Sequence, residues 1–143
     1  MFLLKFVIIS VLSFLISSMC RFSNNKNVER LKQQPPSYVF RIIWPFLYLC
    51  IAYVWSRTNQ IEIIILFYTL ISLFILWIYL YNCVQNKIIC IYILSLCIAI
   101  VICIISLHRL SICKIIMIPL LSWLIIAFHL NWDHVNKKKY INN

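Results

Sequence analysis

A chain of 143 residues that is 64% hydrophobic and only 11% charged is not a soluble domain. A small soluble fold exposes a large share of its surface, and roughly a quarter of an ordinary soluble sequence is charged. The net charge of +10 superficially suits a nucleic-acid binder. Most of the Lys and Arg, however, stand between or beyond long apolar runs, where they meet water and lipid headgroups, so the expected partner is a lipid bilayer and not nucleic acid.

With lipid as solvent, every backbone amide needs an internal partner, which leaves helices or a closed barrel. Barrel strands alternate polar and apolar residues, whereas 61–81, with Glu62 its only charge, and 88–107 are long apolar runs without alternation. The expectation is an all-α fold, an integral membrane bundle of five transmembrane helices forming one domain over 1–143.

About twenty apolar residues cross a bilayer as a helix. The first predicted span is 1–19, interrupted only by Lys5, whose long side chain can reach the nearby interface. A cleaved signal peptide is the competing reading, but Ser18-Met19-Cys20 is a poor cleavage sequence, and the segment is kept as a span. A polar run from Arg21 to Gln34 forms the longest loop, and Pro35-Pro36 leads into a second helix over 38–55. Arg57-Thr58-Asn59-Gln60 makes a tight link to a third helix, 61–82, and Gln85-Asn86-Lys87 turns the chain into a fourth, 88–107. A short link over 108–114 precedes the fifth, 115–132, and a basic tail with Lys137, Lys138 and Lys139 occupies 133–143.

Basic residues favour the cytoplasmic side. The side of the first loop, the third loop and the tail carries Arg21, Lys26, Arg30, Lys32, Arg41, Lys87 and the three tail lysines, against Lys5, Arg57, Arg109 and Lys114 opposite. The tail is therefore expected in the cytoplasm. The chain has no Gly, so Ala, Ser and Cys must supply the small residues that close helix contacts require. The seven Cys lack any C-x-x-C pair and mostly lie inside apolar runs, which suits small hydrophobes better than disulfides or metal ligands.

Aromatic residues recur at helical spacing. Arg41, Trp44, Tyr48 and Trp55 share one face of the second helix, and Phe67, Phe74, Trp77 and Tyr81 one face of the third. Pro119, Trp123, Ala127 and Asn131 follow one another every four residues in the fifth. Ordinary bundle packing would explain this, and so would aromatic walls converging on a flat hydrophobic ligand.

The same residues carry a resemblance. Pro35-Pro36-Ser37-Tyr38-Val39-Phe40, then Trp44 and Leu47-Tyr48, looks like the P-P-x-x-V-F-x-x-x-W-x-x-L-Y stretch of the translocator protein (TspO/MBR) family. Leu73 and Trp77 stand where the family has L-N-x-x-W. Pro119-Leu120-Leu121-Ser122-Trp123, then Ala127 and Leu130-Asn131, is similar to P-Y-L-x-W-x-x-F-A-x-x-L-N. The departures are Phe74 in place of Asn, Leu120 in place of Tyr, and Ile125 where an aromatic is usual.

The resemblance implies a five-helix bundle, often a homodimer, that binds porphyrins, sterols or benzodiazepine-like drugs. Carried over, the ligand-binding residues are Trp44, Tyr48, Trp77, Trp123 and Ala127. Pro35 and Pro36 would fix a loop over the site, and Pro119 and Asn131 would be structural. Trp132 occupies the position where the animal sterol-recognition pattern needs a Tyr, so a porphyrin is favoured over a sterol.

Catalytic chemistry is sparse. The three acidic residues, Glu29, Glu62 and Asp133, sit at or beyond span ends, and His129 and His134 are five apart, on different helix faces. No paired carboxylates, nucleophile triad, metal site or cofactor motif is present. Three readings remain: a receptor or translocator, a porphyrin-degrading membrane enzyme using Trp in electron transfer, and an interaction protein without a small ligand.

Overall fold

A computed structural model describes residues 2–21, 37–84 and 86–141. These form five helices: α1 (Phe2–Arg21), α2 (Ser37–Ser56), α3 (Ile61–Tyr79), α4 (Lys87–Leu107) and α5 (Ser111–Ile141), with no strand among the described residues. The fold is the all-α membrane bundle expected. By length and composition α3, α4 and the Ser111–Asp133 part of α5 are each sufficient to cross a bilayer, and α1 and α2 add the apolar stretches Phe2–Leu15 and Ile42–Ser56. Large apolar side chains such as Leu3, Phe14, Ile42, Ile65, Tyr92 and Ile115 point outward from every helix, as a lipid-facing surface demands.

Each helix turns a narrow stripe inward. Ile63, Phe67, Leu70, Phe74 and Trp77 are buried on α3, Cys90, Leu94, Cys97, Val101 and Ile104 on α4, and Cys113, Met117, Leu120, Leu124 and Ala127 on α5. The spacing alternates four and three throughout, the seam of helices crossing at a shallow left-handed angle. Cys90, Cys97 and Cys113 are free and buried in these seams, where a small side chain lets backbones approach without Gly.

The helices close into a ring in the order α1, α2, α5, α4, α3 and back to α1. Consecutive helices α2 and α3 are therefore not neighbours along their lengths, and α1 stands between them. Lys5 secures that placement: its Nζ donates to the Trp55 carbonyl at 3.2 Å and lies 4.4 Å from the Trp55 ring centroid.

Three features depart from the expected elements. The third helix does not run evenly to residue 82, because α3 widens into a π-helical turn at Leu80–Val84. The link before the fifth helix is shorter than 108–114, since Cys113 and Lys114 already donate to the Leu110 carbonyl and start the helix at Ser111. At its other end α5 continues to Ile141, so most of the basic tail is helical. No Gly or Pro follows Pro119 to stop it, and Lys is a good helix former.

One cysteine also differs from the small-hydrophobe reading: Cys83, in the π-helical turn, is disulfide-bonded. Its partner lies outside the described side chains.

Candidate aromatic site

Trp44 and Tyr48, one helical turn apart on α2, have ring centroids 5.6 Å apart. Trp44 crosses the ring interior to α3, meeting Phe74 edge-on at 5.7 Å and Trp77 at 5.6 Å. Trp77 continues to Tyr81 at 5.3 Å, and the Lys87 ammonium sits 3.3 Å from the Tyr81 ring centroid. The side chains make a continuous row from inside the bundle to the α3–α4 turn: Tyr48, Trp44, Trp77, Tyr81, Lys87. Offset and edge-on ring pairs of this kind contribute about 0.5–1.5 kcal/mol each beyond area burial. Here they bridge two helices whose backbones stand apart.

Trp123 and Ala127 are buried on α5 in the same core as Tyr48 and Trp77. The aromatic spacing on α2 and α3 thus brings Trp44, Tyr48 and Trp77 together. It does not bring Trp55 with them. Trp55 lies eleven residues after Trp44, roughly 16 Å along the helix axis. There it stacks on Phe67 at 6.2 Å and meets Tyr68 edge-on at 5.0 Å, beneath Lys5.

The fifth-helix stripe divides as well. Pro119 faces outward while Trp123, Ala127 and Asn131 are buried, because spacing by four drifts around a helix of 3.6 residues per turn. Asn131, structural by the family resemblance, is buried on α5. Its Nδ2 donates to the Ala127 carbonyl one turn earlier, at 2.8 Å. Pro35 and Pro36 lie outside the described residues. Phe74, a departure from the family pattern, is almost completely buried and presents its ring to Trp44.

Polar groups in the bundle are mostly satisfied on their own helix. Ser56, Thr69, Ser72, Ser106 and Ser122 each donate to the carbonyl four residues earlier, at 2.7–3.0 Å, the local solution available in lipid. The indole N–H of Trp77 is an exception, buried without an acceptor. Such a group costs about 1–3 kcal/mol. Sequence reading missed Lys87, which passes for an ordinary loop cation until Tyr81 is placed beneath it. Among the described residues no His, Cys, Asp or Glu cluster could hold a metal ion.

No individual curated protein matches the chain. The sequence profile of the TspO/MBR family matches residues 3–136. That match spans nearly the whole chain and all five helices, and the chain belongs to the TspO/MBR family.

Proposed function

We propose that this multi-pass membrane protein is a receptor or translocator whose ligand is a flat, hydrophobic small molecule, with a porphyrin as the leading class. The observation that supports this reading most is the aromatic wall joining α2 to α3, in which Trp44 stands 5.6–5.7 Å from Tyr48, Phe74 and Trp77. A planar ligand gains by stacking on such faces and by leaving water for an apolar interior. Trp123 and Ala127 would face the ligand from α5, Ala127 leaving space that a larger side chain would fill. The Lys and Arg asymmetry would place the α5 tail in the cytoplasm.

Titration of the lipid-reconstituted protein with protoporphyrin should quench tryptophan fluorescence saturably. Trp44→Phe and Trp123→Phe should each weaken binding about two- to tenfold, the range of one ring contact. Quenching that never saturates would refute the receptor reading. Unchanged affinity in both variants would remove these residues from the site.

A further inference from the structure

We infer that Lys87 is the counter-charge of the aromatic site, so that its ligand is a planar hydrophobe bearing a carboxylate. This rests on the aromatic-wall reading above. Lys87 ends the row of rings, with its ammonium 3.3 Å from the Tyr81 centroid, Tyr81 5.3 Å from Trp77, and Trp77 5.6 Å from Trp44. A molecule lying along this row has its far end at a cation.

Three further observations converge. Lys87 makes no ion pair among the described residues, which hold two of the chain's three acidic side chains. Glu62 opens α3 at the other end of that helix, while Asp133 is exposed on α5. Secondly, Lys87 is the first residue of α4, where the unsatisfied amides already carry positive partial charge and a cation is disfavoured. The side chain is also half-buried instead of extended into water. A residue set against its local electrostatics marks a place where function outweighs folding. Thirdly, the Trp77 indole N–H is buried in the same row without an acceptor. Two donors, one of them charged, have no oxygen partner among the described residues.

The test compares protoporphyrin, a dicarboxylic acid, with its dimethyl ester in zwitterionic nanodiscs. Both have the same ring system, but only the acid carries the charge. The wild type should bind the acid about tenfold more tightly, as a charge-assisted hydrogen bond allows, and added salt should erode that preference. Lys87→Gln should abolish the preference by weakening the acid alone, and Lys87→Arg should retain it. Equal binding of acid and ester by the wild type would overturn the assignment while leaving the aromatic site intact. So would a Lys87→Gln loss that falls equally on both ligands. If neither ligand binds saturably, the aromatic-site reading fails, and the assignment of Lys87 fails with it.

Discussion

His108 illustrates how single side chains are held in this bundle. It caps the C-terminus of α4, is buried, and its Nδ1 accepts the Leu110 N–H at 3.3 Å. Burial, and then the nearby Lys114, hold its pKa below the ordinary 6.5. The folded protein therefore favours the neutral ring. The stabilisation is complete above 6.5 and is lost as the pH falls toward the lower folded value, because the unfolded chain takes up the proton first. Thermal unfolding of the solubilised protein should move to lower temperature between about pH 7.5 and pH 5.5, where histidine titrates. His108→Gln should flatten that dependence, and an undiminished slope would refute the assignment to His108. At this scale the sequence exposes periodicity but not partners. Trp44, Tyr48 and Trp77 could be grouped from their spacing. The Tyr81 ring beneath Lys87, the Ala127 carbonyl bound by Asn131 and the bond at Cys83 depend on distances that no spacing encodes.

Among the elements, α4 has a defined start: Asn86 accepts the Ile89 N–H on its Oδ1 at 3.3 Å. Asn86→Ala should lower stability by about 1 kcal/mol, measured as a reduced denaturation midpoint with ligand-free protein. The hydrophobic spans of all five helices could be read from apolar length, since lipid leaves the backbone no cheaper conformation. Their ends were less legible. The π-helical turn at Leu80–Val84 has no breaker residue to announce it, and helices frequently widen this way at functional sites. The tail looked like a loop because it is polar, yet polarity ends a membrane span without ending a helix. Asn136→Pro should therefore reduce helical circular dichroism by a few residues' worth while sparing ligand binding. An unchanged spectrum would mean that the tail is not helical in lipid.

For the whole molecule, an odd number of spans puts the link 57–60 and the tail on opposite sides of the membrane. A glycosylation tag inserted between Arg57 and Gln60 should be modified and one after Asn143 should not, and the reverse pattern would invert the charge-based orientation. The ring order could not be read from the sequence, because a short link between α2 and α3 suggests that they are neighbours. In the structure Trp44 reaches across to Phe74 and Trp77, and Trp55 to Phe67 and Tyr68, while α1 occupies the flank between them. Cleavage of the first segment would accordingly remove a wall of the bundle, with Ile9, Ser13 and the Lys5 contacts. The same order bears on biogenesis. Helices emerge from the ribosome in sequence, so α1 can meet α2, α3 can then dock on α1, and α4 on α3. Each step leaves an open arc. Only α5 touches both free ends, α2 and α4, and it is made last of the five. Until it inserts, α2 lacks one of its two flanking helices, and the interval before that arrival is when the nascent chain most needs protection from other membrane segments.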